Sequence, residues 1–224
     1  MRLVAMLFVT LLVVSPVKAS VYKDFVKAWD ARDQTYRSER QALEASAQSA
    51  ADRAVQALVS DDRFASDDLV AALTAAWSLS ELVGRGHTLW ELREHMANRP
   101  SAALSELWFQ GKVDEVRRRQ TDADLIERQI EKLKDRDTVT VRQWIAALER
   151  LSMMRGAISG TAAELVLIDQ NLRSYYRARG EDGGGSAAQW QAILQALGSA
   201  ERTKQDDVQQ WSAQCARTGD CVRE

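Results

Sequence analysis

The sequence predicts an all-α fold, an elongated antiparallel helical bundle with coiled-coil-like long helices and a cap of shorter ones. Three observations predict it. Alanine supplies 33 of the 224 residues, and the only two prolines are Pro16 and Pro100. That composition favours helix and disfavours an all-β chain. Apolar residues also recur at seven-residue spacing in two long segments.

The first 19 residues have the three parts of a secretory leader. Arg2 supplies the charge. Leu3–Val14 is apolar except for Thr10, and Val17-Lys18-Ala19 forms a cleavage site before Ser20. Twelve residues are short of the roughly 20 that span a bilayer as a helix. The expected mature chain starts at Ser20, has no transmembrane helix, and is periplasmic or secreted. Cleavage leaves 28 basic against 32 acidic residues. That balance argues against a nucleic-acid partner.

The divisions that follow are 20–180 as a helical bundle, 181–186 as a Gly-rich linker, and 187–224 as a C-terminal helical segment. The first helix runs from Val21 to about Val59. Phe25 precedes Trp29, Tyr36, Leu43, Ala50 and Ala57, the last five spaced by seven. Ser66 can cap a second helix to about Val83, with Leu69, Leu73, Ala76, Trp77 and Val83 on its apolar face. Gly84 and Gly86 are expected to stop it. Thr88-Leu89-Trp90-Glu91 has the form of a capping box, so a short helix is expected to follow until Asn98-Arg99-Pro100.

A further helix starts near Ser101, with Gly111 as a candidate interruption, and continues to Asp135. Val116, Ala123, Ile126, Ile130 and Leu133 form its stripe. Val141 to about Arg179 is the strongest element. Trp144, Leu151, Ile158, Leu165 and Leu172 repeat at strict seven-residue spacing, with Leu148, Ala162, Ile168 and Tyr176 in the second line. Arg155 and Asp169 fall near seam positions, where polar residues often fix register. Glu164 is expected to face outward. Gly156 and Gly160 suit a bend or a close helix approach. Gly180 is a natural stop. The last helix carries Trp190, Ile193, Leu194 and Leu197, and a weaker pattern runs through Val208 and Trp211.

Cys215 and Cys221 are the only cysteines, and an even count in an exported chain favours a disulfide between them. So short a loop contributes about 2.4 kcal/mol in the chain-entropy description.

Candidate chemistry is sparse. His87, Glu91 and His95 are spaced by four. Two histidines eight residues apart lie about 12 Å apart along a helix, too far for one ion. No metal or cofactor is expected. The sequence has no Gly-x-Ser-x-Gly, no phosphate-binding Gly-rich loop and no Cys-x-x-Cys. Arg117-Arg118-Arg119 is surrounded by Asp114, Glu115, Asp122 and Asp124, and reads as a solvated, neutralised face. Trp90, Trp108 and Phe109 are the candidate partner contacts if exposed together, because Trp is enriched at interface hot spots.

The expected function is that of a non-enzymatic exported interaction protein: an adaptor, chaperone-like or envelope or secretion-machinery component. Its expected partner is another envelope protein or a second copy of the chain. The alternatives are a small-ligand or cell-wall-binding module and, behind that, a hydrolase. An exposed apolar groove would favour the first reading, a closed Trp-lined cavity the second, and carboxylates converging in a cleft the third.

Overall fold

A computed structural model describes residues 16–59, 66–133, 141–181 and 187–218. They form five helices and no strand: α1 Pro16–Val59, α2 Ser66–Ala97, α3 Ala102–Leu133, α4 Val141–Ala178 and α5 Ala187–Thr218. Residues 3–14 of the apolar run, 182–186 of the Gly-rich linker and Cys221 lie outside the described residues, as does the side chain of Cys215. The disulfide pairing therefore also lies outside them.

Successive helices alternate in direction. Asp30 meets Arg93 at 3.4 Å and Arg53 meets Asp68 at 3.3 Å, so α1 and α2 are antiparallel. Ser105 meets Tyr176, and Glu127 meets Arg155, so α3 runs against α4. Gln191 reaches Asp169 and Glu201 reaches Arg155, so α5 also runs against α4. α2 and α4 are consequently parallel neighbours. α4 is the axis of the bundle and packs against all four other helices.

That position follows from its sequence. All five heptad residues are buried: Trp144, Leu151, Ile158, Leu165 and Leu172. So are Leu148, Ala162, Ile168 and Tyr176. Within α4, Gln143–Ala178 is long and apolar enough to cross a bilayer by length and composition, yet 67% of its most apolar window is buried inside the bundle. The stripe is satisfied by the protein's own helices.

α4 is buried on more than its stripe, and this corrects one expectation. Glu164 does not face outward; it is fully buried. Arg32 on α1 donates to its Oε1 at 2.7 Å, and the Tyr36 hydroxyl donates to its Oε2 at 2.6 Å. Burial, followed by the hydrogen bond to the Glu164 carboxylate, pushes the Tyr36 phenol up to about 12. Tyr36 therefore stays a neutral donor. Arg155 is also fully buried and gathers three carboxylates: Glu201 at 2.7 Å, Glu127 at 2.7 Å and Asp124 at 3.1 Å. These contacts tie α3 and α5 to α4.

The glycines of α2 do not end it. α2 is continuous through Gly84 and Gly86, and Thr88 does not open a helix. Its hydroxyl instead donates back to the Gly84 carbonyl at 2.8 Å. Gly111 leaves α3 unbroken. The cap of shorter helices is therefore absent, and α2 and α3 are full-length members of the bundle.

Gly84 has a packing reason to be glycine. A methyl group there would collide with the Ala157 carbonyl oxygen of α4. Gly156 and Gly160 face the carbonyl oxygens of Trp77 and Glu81 in the same way. The three glycines let the two backbones approach closely. A methyl group at Gly86 meets nothing within 4 Å. Gly86→Ala should therefore raise the stability of the monomer, at dilution, by about 0.5–1 kcal/mol. Gly160→Ala should lower it by about 1–3 kcal/mol through overpacking. Urea unfolding of both variants checks the contrast, and two shifts of the same sign would contradict the packing.

The ends are capped as the sequence indicates. α2 stops before Pro100, the Ser101 hydroxyl accepts the Leu104 N–H at 3.4 Å, and Gly180 takes φ +72° after α4. There the Glu181 N–H bonds back to the Tyr176 carbonyl at 3.0 Å.

Candidate functional site

α1 and α2 pack along buried residues on their inner edges and leave a groove between their outer edges. From α1 come Trp29, Asp30, Asp33, Tyr36, Arg37 and Arg40. These fall on one helical face, and they span about 16 Å along the axis. From α2 come Leu82, Val83, Gly86, His87, Leu89, Trp90 and Arg93. The groove holds about 440 Å³ and is open to solvent.

Its floor belongs to the core: Trp29 and Leu89 are each 3% exposed. Its rim does not. Trp90 is 56% and Val83 41% exposed. The Trp90 ring stacks on His87 with centroids 5.9 Å apart. Gly86 lies between Val83 and Trp90 on the α2 wall, where it adds no side chain to the space.

The groove has an order of charge. Asp30 and Asp33 lie towards one end, with Arg93 beside Asp30. Arg37 and Arg40 lie towards the other. Arg37 donates to Asp33 at 2.9 Å and Arg40 to Glu44 at 2.7 Å. These pairs are largely exposed and individually worth little.

The three predicted contact residues do not form one cluster. Only Trp90 is largely exposed. Phe109 is 4% exposed and belongs to the core. Trp108 packs partly against the core and stacks on His95, with centroids 5.1 Å apart. Phe109 stands seven residues before Val116, and Val113 lies between them. Extending the α3 stripe towards its N-terminus would have placed Phe109 inside. The groove's α1 wall was not read from the sequence, since it depends on how two helices distant in the chain are paired. Val83 shares the apolar face of α2 by spacing, yet it stands exposed on the groove's rim.

His95 has a different role from the one tested by its spacing. Its Nε2 lies 3.0 Å from the Ser105 hydroxyl, which lies 2.6 Å from the Tyr176 hydroxyl. Tyr176 also donates to the Pro100 carbonyl at 3.1 Å. A serine beside a histidine resembles a nucleophile and its base. Ser105, however, is 1% exposed and has Tyr176 against its oxygen. The group pins the α2–α3 turn to the end of α4.

Burial lowers the His95 pKa from its ordinary value near 6.5. The folded protein therefore holds the neutral ring while the unfolded chain takes up a proton below about 6.5. Stability should fall as pH drops from there through the lower folded value, then level off for this group. His95→Gln should flatten that part of the curve. Identical slopes for parent and variant in urea unfolding across this range would contradict the linkage.

The carboxylates that converge do so on the Arg155 guanidinium, which they neutralise. Burial opposes the Asp124 charge, but Lys204 and Arg155 outweigh it and hold its carboxyl below the ordinary range. Among the described residues, no group of three or more His, Cys, Asp or Glu is placed to hold a metal ion. In the arginine run, Arg119 pairs with Glu115, and Arg117 lies 3.8 Å from Asp114. Arg117 also lies over the Trp190 ring, 5.7 Å from its centroid.

No protein-family model, curated protein or solved structure matches this chain. The functional reading therefore rests on the groove and the sequence.

Proposed function

We propose that the chain is a non-enzymatic, exported helical interaction protein, an adaptor, chaperone-like or envelope component working through protein–protein contact. The observation that carries this reading is the open α1–α2 groove, with Trp90 and Val83 exposed above an aromatic floor. A large aromatic side chain held in water above an apolar floor is a common anchor of a contact surface. The open form favours a macromolecular contact over a small ligand, which is usually enclosed. The leader supports export, and the cysteine pair supports a disulfide between Cys215 and Cys221 outside the cytoplasm.

A photo-reactive residue at position 83 of the exported protein tests the surface. Leu125, 46% exposed on α3, is the control position. A discrete protein adduct at 83 and none at 125 is expected. Absence of any protein adduct at 83, or the same adducts at both positions, would overturn the assignment. Intact mass on the same material should give a mature start at Ser20, and exported protein retaining Met1 would contradict the leader.

A further inference from the structure

We infer that the α1–α2 groove is covered by the same groove of a second copy, in a two-fold pair centred near Gly86. This rests on the reading of the groove as a protein-contact surface and names its occupant. Two features of the groove carry it.

The first is Gly86. The neighbouring Gly84 is needed for the contact with α4, whereas a methyl group at Gly86 would meet nothing within 4 Å. Glycine in a helix interior is unfavourable relative to alanine, so packing within one chain gives no reason for it. A second backbone approaching this point does. Gly86 lies near the middle of the α2 wall, between Val83 and Trp90.

The second is the order of charge. A two-fold axis through the middle of the groove lays one end of the first copy on the opposite end of the second. Arg37 and Arg40 of one chain then face Asp30 and Asp33 of the other, twice over. The same rotation sets Trp90 of each copy against Val83 of the other. The existing partners do not prevent this exchange. The side chains of Arg37 and Asp33 are 74% and 32% exposed, and those of Arg93 and Asp30 are 57% and 55% exposed. Such pairs contribute little where they are and can be re-formed between chains.

Sedimentation equilibrium of the mature protein tests the pairing. The parent should show a monomer–dimer equilibrium that weakens as salt is raised. Arg37→Glu/Arg40→Glu and Asp30→Arg/Asp33→Arg should each weaken dimerisation by at least about tenfold. A chain carrying all four changes should recover it, because the complementarity is restored with the signs exchanged. An equimolar mixture of the two double variants should recover it as a heterodimer. Gly86→Leu adds bulk at an open position, so it should keep the fold by thermal melting and lose the dimer.

A parent that is monomeric at every concentration would overturn the pairing. So would a dimer indifferent to both double variants and to Gly86→Leu. If position 83 cross-links to a different protein while the parent stays monomeric, the self-pairing fails and the protein-contact reading stands. If the parent is monomeric and position 83 gives no protein adduct, both fail.

Discussion

Arg155→Ala is expected to destabilise the protein by about 3–5 kcal/mol. Arg155 is fully buried, and so is one of its three carboxylates, Glu201. Removing the guanidinium strands that carboxylate in the interior, with the Gln120 amide at 2.9 Å as its remaining donor. Glu127 and Asp124 are about a third exposed and can rehydrate, so Glu201 dominates the loss. Replacing both buried partners should cost much less, because a buried ion pair exchanged for packed apolar groups is often nearly neutral. Arg155→Met with Glu201→Met should therefore recover most of what either single change loses. Urea unfolding of Arg155→Met, Glu201→Met and the double variant completes the cycle. Single variants within about 0.5 kcal/mol of the parent would mean the guanidinium is hydrated and α5 is not held through it.

Leu165→Asp should cost at least about 3 kcal/mol, from lost apolar contact and a carboxylate buried without a partner. Leu165 is fully buried in the middle of the heptad stripe. Arg150→Gln, at an exposed position on the same helix, should shift stability by less than about 0.5 kcal/mol. Glu164→Gln is not a neutral control despite standing next to Leu165. It weakens charge-assisted bonds from Arg32 and Tyr36, each worth about 1.5–3 kcal/mol. Thermal melting of the three variants orders them. Equal melting for the parent and Leu165→Asp would place the stripe in water.

The stripe of α4 was legible because five large residues keep one spacing over four heptads, a pattern only a buried seam requires. Arg155 and Glu164 were harder to place. A stripe identifies one buried face, whereas α4 is covered by four helices, and the polar residues on its other faces are buried by neighbours far away in sequence. The glycines of α2 misled for a related reason. Each lowers local helix propensity by about 1 kcal/mol, and two of them beside a Thr-x-x-Glu pattern resemble a helix end. Packing along α4 outweighs that local preference. Gly84 is part of the packing, since the α2 and α4 backbones meet there.

The candidate site was legible in fragments. Trp90 was named as a contact residue and is exposed, but Phe109 continues the core stripe of α3 and Trp108 stacks on His95. Asp30, Asp33, Arg37 and Arg40 carry no motif. They become a surface only when α1 is laid antiparallel to α2 with Trp29 and Tyr36 turned inwards. No spacing within either helix records that pairing.

Everything proposed for the groove presumes that α4 is sheltered by its own chain and that α1 and α2 are held on it with their outer edges in water. Hydrogen exchange of the protein in detergent-free buffer tests this most directly. Amides of residues 151–172 should be the slowest in the molecule and should exchange only through global unfolding. Fast exchange across 151–172, or slow exchange that appears only in detergent or lipid, would contradict a bundle built around α4.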